Sequence, residues 1–495
     1  RPAATTASLP ALSCVTASVQ TIYFTSYSPI QTRIQLAEVP HGDRFPTPSE
    51  TLSARAVFES KIMRLRMTAD TLVEARWVIP VIPRNTVLEN HTVVFSGGRI
   101  ADILPTEAAR VRYAGLEAKT MRLPAGVVMP GLINLHTHAA MNLLRGRGAD
   151  LPLMDWLTKE IWPAEGRLMS AEFVHDGSLI AGVEMIRSGV TCCSDLYFFP
   201  EAAAEGLREA GLRCATAGIV IGFPSAWAAN DDEYISKCEA LIERYSGDPF
   251  VRVTVGPHAP YTVSDASLAR CAALSERHIH VNETAGEVET SLKDHGERPV
   301  ARLARLGLLN ERLISVHSVH TSNEDIRMLA EARASVCHCP SSNLKLASGF
   351  APVAKMMKAG INLGIGTDGA ASNDKLDMLG ETRLAAMLAK AVAGATTCAK
   401  VFDMLEAATL GGARALHWDD EIGSLEIGKC ADMIAVDLSG IECGPVTDPA
   451  AQLLYSAGRE HVTHVWVAGR LAAGEGTEPR DDTARTLLEK WAPLI

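Results

Sequence analysis

The feature that most constrains this chain is a series of eight short apolar, β-branched runs between about Val127 and Leu425, separated by helix-like stretches: GLINLHTH, GVTCCSDLYF, RCATAGIVIG, VRVTVGPHAP, HIHVNETAG, LISVHSVH, ASVCHCPSS and INLGIGTDG. Alternating strand and helix patterns of this kind are what βα units on a parallel sheet produce, and eight is the number that closes a barrel. Intervening segments such as AEFVHDGSLIAGVEMIRSG and APVAKMMKAG end in glycine, as a helix C-cap does. The polar residues of the runs gather at their C-terminal ends: His136, His138, Asp195, His258, His280, Glu283, His317, His320, His338 and Asp368. In a (β/α)8 TIM-type barrel all these ends open on one face, so residues far apart in sequence meet there.

Two β-rich pieces flank this middle. TLVEARWVIPVI and HTVVFSGGRIADILP precede it, with Gly97-Gly98 as a turn signal, and KCADMIAVDL and HVTHVWVAGRLAAG follow it. They predict one small β-sandwich domain built from both ends of the chain, residues 67–125 and 426–495 with a C-terminal tail, around a barrel at 126–425. Residues 1–66 stand apart: up to Pro40 the run is rich in Ser, Thr, Ala and Pro with a single acid, Glu38, and no Met precedes Met63 and Met67. A transit peptide has that composition; a disordered or non-native leader, with the functional protein starting near Met67, is the reading we prefer.

The strand ends carry the chemistry. His136 and His138, two apart on a strand, project to one side at a spacing suited to one ion. An isolated H-x-H is weak evidence, but here a histidine ends the fifth strand and an aspartate the eighth. His280 supplies a third nitrogen and Asp368 an oxygen, a set that suits zinc and leaves room for a water. Glu283, three residues past His280, is placed to shuttle a proton to or from that water. Of His317 and His320, whose spacing of three puts them on opposite faces of a strand, we assign His317 to orienting the attacked water and His320 to structure. The fourth strand end, GPHAP, has no lysine to bridge a second metal, so one metal per subunit is predicted. The Cys337-His338-Cys339 trio is set aside as a separate metal site, because three consecutive strand residues cannot all face one ion.

Composition narrows the partners. The net charge of −11 over 495 residues argues against a polyanion, since nucleic-acid binding draws on Lys and Arg at phosphates. No window approaches eighteen uninterrupted apolar residues, so no membrane span is expected. The eleven cysteines show no CxxC and no disulfide framework, which fits reduced thiols in the cytoplasm.

The strings PGLINLHTHAAMNLLRG, GPHAPYTV, HVNET, HSVH, HCPSSNLKL and GIGTDGAASND, in this order, resemble the amidohydrolase superfamily, and most closely its methylthioadenosine/S-adenosylhomocysteine deaminases. The likeness runs from about Thr68 to the C-terminus. It implies His136, His138, His280 and Asp368 as ligands of zinc, with iron(II) as the alternative ion, and Glu283, His317 and Asp368 as proton-transfer residues. It adds Glu165 as a match to the carboxylate that binds the ribose hydroxyls, His258 as a substrate-binding histidine, and Trp156 as an aromatic placed to pack on the substrate, although a plain core role suits that Trp equally. Glu283 and Asp368 would also touch the purine ring. The implied reaction is hydrolytic deamination of a 5′-substituted adenosine to the inosine by a metal-activated water, and a homo-oligomer is implied as well.

One departure bears on specificity. Relatives that accept S-adenosylhomocysteine resemble one another in carrying arginines after the third strand, yet ATAGIVIGFPSAWAANDDEYISK contains none. A carboxylate buried without a cation would lose several kcal/mol, so methylthioadenosine, or another uncharged 5′-substituted adenosine, is the expected substrate. The rival readings are a triazine chlorohydrolase or aminohydrolase, a guanine or cytosine deaminase, and a non-catalytic scaffold that has lost its metal. Neither free bases nor triazines need a ribose contact such as Glu165, and a scaffold should have lost ligands. The H-x-E and P-C-x-x-C pattern of the unrelated zinc deaminases is absent.

Overall fold

The chain alternates strand and helix through its middle because its apolar runs switch between periods of two and of about 3.6 residues. A computed structural model describes residues 69–495 apart from 478 and 479; the leader expected over residues 1–66 lies outside the described residues. Four strands come first, β1 (Thr71–Val78), β2 (Leu88–Ser96), β3 (Arg99–Pro105) and β4 (Lys119–Pro130). Eight more follow: β5 (Leu132–Thr137), β6 (Val190–Tyr197), β7 (Arg213–Val220), β8 (Val251–Pro257), β9 (Arg277–Val281), β10 (Leu313–His317), β11 (Ser335–His338) and β12 (Asn362–Ile365). β13 (Met433–Asp437), β14 (Val462–Val467) and β15 (Arg470–Ala473) complete the set.

Strands β5 to β12 pair in sequence order, all parallel, as an eight-stranded sheet. Its two edges meet through β5: Asp368 N donates to His136 O at 2.9 Å, and the Asn134 side chain exchanges hydrogen bonds with Thr367 N (3.0 Å) and Thr367 Oγ1 (2.8 Å). A barrel strand is buried on both faces, and every residue of β5, β6, β7, β9, β10 and β11 is buried. That is why these strands read as unbroken apolar runs. Close helix packing behind them depends on small residues: a Cβ on Gly206 would lie 2.3 Å from His175 O.

The remaining strands form a separate seven-stranded sheet in the order β15-β14-β13-β4-β1-β2-β3, with β1 and β4 parallel and the other neighbours antiparallel. Gly97 and Gly98, at φ 57° and 79°, turn β2 into β3, a conformation open to glycine at no steric cost. Val73, Val93, Phe95, Val128, Met433 and Trp466 pack into its core. A buried ion pair, Arg213 Nε to Asp432 Oδ2 at 2.6 Å, ties the start of β7 to the residue before β13. No helix among the described residues is long and apolar enough to cross a membrane.

Candidate active site

Because the eight barrel strands are parallel, their C-terminal ends share one rim. There β5 supplies His136 and leads into His138, β9 supplies His280, β10 His317, and the turn after β12 Asp368. Asp368 Oδ1 lies 3.3 Å from both His136 Nε2 and His138 Nε2. Two sets of ligand atoms, His136 with His138 and Asp368, and His136 with His280 and His317, each fall within 4.8 Å of one another. Among the described residues these are the groups able to hold a metal, and neither includes the Cys337-His338-Cys339 trio.

The other nitrogen of each ring is anchored. His138 Nδ1 faces Leu196 O, and His280 Nδ1 faces His258 O at 2.6 Å. Asp368 accepts from Ser342 Oγ at 2.6 Å and from Gly369 N at 2.7 Å. Burial pushes His136 down to about 4 and His280 well below its ordinary range, so both rings are neutral near pH 7. Burial alone would raise Asp368, but the adjoining His136 and His138 hold it well below the usual carboxylate range. His136 Nε2 is buried and has no hydrogen-bond partner. A buried ring nitrogen left without a partner is costly, and a cluster of imidazoles around an ionised carboxylate is the donor set of a divalent metal.

Backbone strain collects at the same rim. Asn282, His317, Ser318 and Asp368 are non-glycine residues with φ of 55°, 67°, 49° and 62°; each costs about 1–3 kcal/mol and persists only where the surroundings impose it. At His317 the positive φ ends the strand, so the alternation used to separate His317 from His320 stops before His320. The structure still places His317 in the pocket, with Nδ1 2.9 Å from Asn343 Oδ1, and turns His320 to Ser348 O at 2.7 Å.

Glu283 follows β9 at the head of the helix Ala285–His295, which Thr284 caps. Glu287, one turn in, accepts from Asn282 N at 2.8 Å and Glu283 N at 2.7 Å and so clamps the loop. Burial raises the Glu283 carboxyl above its ordinary value, its nearest donor being Ser348 Oγ at 3.4 Å. It is a buried acid that can hold a proton.

The pocket above the cluster is lined by His138, His258, His280, Glu283, His317 and Asp368 together with Trp156, Trp162, Glu165, Tyr197, Phe223 and Tyr261. Trp156, Trp162 and Glu165 come from one helical run, Leu153–Leu168, interrupted by a π turn at Leu157–Ile161. Pro163 sits just past that turn, where a missing N–H is easily absorbed. Glu165 accepts from Tyr197 Oη at 2.6 Å, and burial pushes it up to about 7 despite that hydrogen bond. His258 binds Thr262 Oγ1 through Nδ1 at 3.0 Å, and burial drives it down to about 3. The Trp156 indole is spent on Arg147 O at 3.0 Å, leaving its ring to the wall. Every candidate site residue therefore meets here, His136 lying beneath the lining. Asp195 does not enter: its Oδ1 accepts from Ala139 N at 2.6 Å and fixes the turn after His138.

Sequence reasoning missed Tyr197, Ser342, Asn343, His278 and Ser194. Ser342 and Asn343 stand in the HCPSSN string already singled out, and the repeated H-x-H of RHIHV was the available signal for His278. Tyr197 is hidden in the apolar run LYFF.

This fold and site define the class. The sequence pattern of the amidohydrolase family matches residues 127–472, and the chain belongs to that family. It is 44% identical over 407 residues to the 5-methylthioadenosine/S-adenosylhomocysteine deaminase of Teredinibacter turnerae, spanning 81% of this chain and 92% of that protein. It is 43% identical over 418 residues to the enzyme of the same name from Saccharophagus degradans, spanning 83% and 93%. Among solved structures it is similar to an adenosine deaminase from Xanthomonas campestris with bound zinc, at 45% identity and a TM-score of 0.82, covering 86% of this chain and 99% of that one. The atrazine chlorohydrolase of Arthrobacter aurescens, at 22% identity and a TM-score of 0.78, shares the fold. With this donor set and a zinc-bound relative, the histidine cluster is a site for a metal cofactor.

Proposed function

We propose that this protein is a hydrolytic deaminase of 5′-methylthioadenosine and similar uncharged 5′-substituted adenosines, with one zinc per chain held by His136, His138, His280 and Asp368. The observation that carries this reading is the pairing, across one pocket, of the metal cluster and Glu283 with the Glu165 carboxyl. The first suits the polar edge of a purine and the second a ribose diol. A triazine or a free base would bring no diol to Glu165, leaving it only its hydrogen bond from Tyr197.

Zinc bound here would supply a Lewis acid that lowers the pKa of water toward neutrality. Glu283, whose acid form burial favours, gives its proton to N1 as the water oxygen bonds to C6. His317, fixed through Asn343, orients the water, and Asp368 accepts one of its protons and passes it to the amino nitrogen. The C6–N bond then breaks, ammonia leaves, the remaining hydroxyl proton returns to Glu283, and the inosine remains. Among the described residues the pocket lining, Ile219, Ile221 and Phe223 included, contains no lysine or arginine, so an amino-acid carboxylate at the 5′ position would find no cation. Self-association and a cytoplasmic location belong to the same reading, the second supported by ten free cysteines among the described residues.

The test is ammonia release from methylthioadenosine, adenosine, S-adenosylhomocysteine, guanine and a chlorotriazine by metal-loaded protein. Methylthioadenosine is expected to lead; kcat/KM for S-adenosylhomocysteine equal to that for methylthioadenosine would sink the specificity argument, and inertness toward every nucleoside would sink the assignment.

A further inference from the structure

His136 differs from the other two histidines of the cluster in what holds its second nitrogen. His138 and His280 each point Nδ1 at a backbone carbonyl, which can only accept, so both must carry hydrogen there and present a bare Nε2 to the cluster. His136 Nδ1 instead meets another ring, His278 Nε2, at 2.8 Å, and His278 Nδ1 meets Ser194 Oγ at 3.1 Å. His136, His278 and Ser194 are all fully buried. His278 lies two residues before His280 on β9 and so shares its inward face one layer lower. Ser194 stands on β6, beside β5, so the chain of bonds crosses the barrel interior.

We infer that His278, backed by Ser194, is a positioning residue that sets the tautomer of His136 and thereby decides whether His136 can serve as a metal ligand. An imidazole and a hydroxyl can each donate or accept, so the chain has two directions. When Ser194 accepts from His278 Nδ1–H, His278 Nε2 accepts from His136 Nδ1–H, and His136 Nε2 offers a lone pair to the cluster. In the opposite direction His278 Nε2–H donates to His136, whose own Nε2–H then points at Asp368 and no lone pair is left for an ion. Only the first direction is compatible with an ion beside Asp368. A ring partner also fixes the plane of His136 at the floor of the site. The inference rests on the metal-site reading given above.

The experiment measures zinc affinity of the chelator-stripped full chain by competition with a chromophoric chelator, together with the visible spectrum of the cobalt(II)-substituted protein. His278→Leu removes the acceptor and should weaken zinc by the ~10–100-fold typical of a lost outer-shell partner, with a shifted cobalt spectrum. His278→Gln can return an acceptor oxygen near the lost Nε2 and should recover most of that affinity. Ser194→Ala should weaken zinc in the same direction by less, and add nothing to His278→Leu, because the two act through one chain. Parental zinc affinity and cobalt spectrum in His278→Leu would overturn the inference. If that variant does not fold, Ser194→Ala and His278→Gln decide: unchanged zinc affinity in Ser194→Ala, or a loss of the full ~10–100-fold in His278→Gln, overturns it. A parent chain that takes up no zinc would instead overturn the metal reading beneath it.

Discussion

Substituting Tyr197 by Phe isolates the residue that controls Glu165 without touching the metal cluster's ligands. The Tyr197 hydroxyl donates to Glu165 Oε1 at 2.6 Å, and a hydrogen bond to a charged acceptor is worth roughly 1.5–3 kcal/mol. Because it favours the ionised carboxylate, it opposes the burial that lifts Glu165 to about 7. At about 1.4 kcal/mol per pKa unit, the lower end of that range raises Glu165 by about one unit when the bond is lost. A carboxylate accepts from both ribose hydroxyls, whereas a neutral acid has an O–H in the way, so activity through this contact rises with pH across the Glu165 titration. In Tyr197→Phe the ionised fraction at pH 7 falls from about a half to about a tenth, so kcat/KM for methylthioadenosine should fall about fivefold. Near pH 9 the two proteins should converge. The assay is kcat/KM against pH for both, with zinc content checked. Superimposable profiles, or a deficit that stays constant up to pH 9, would refute the reasoning.

Glu283→Gln should keep its metal by elemental analysis yet lose about 10²–10⁴ in turnover, as expected for a missing general acid. Arg213→Met leaves Asp432 buried and unpaired, and urea unfolding should show a loss of about 3–5 kcal/mol, with Arg213→Met/Asp432→Leu recovering most of it. Gly206→Ala drives a methyl into the His175 carbonyl and should destabilise by at least about 1–3 kcal/mol in the same assay.

The barrel was legible because a parallel strand buried on both faces has little choice of residue: β5, β6 and β7 are apolar runs whose polar residues collect near their ends. His136, His138, His280 and Asp368 could be picked out for the same reason, since the topology brings strand ends together whatever their separation in sequence. What periodicity does not encode is the local backbone that aims these residues. Glu165 faces the pocket in step with Trp156 and Trp162 because a π turn at Leu157–Ile161 resets the helix. His317, at the end of β10, and Asp368, just past β12, take left-handed φ values, which the alternation of a strand does not signal. The parallel pairing of β1 with β4, inside an otherwise antiparallel sheet, also left no trace in the alternation of its residues.

The most direct test of the central claim is ammonia release from methylthioadenosine by protein whose metal has been counted, stripped by a chelator, and restored with zinc. The account predicts about one metal per chain, loss of turnover on stripping, and recovery with one equivalent of zinc. Full turnover by stripped protein, or none by protein carrying one zinc, would contradict it.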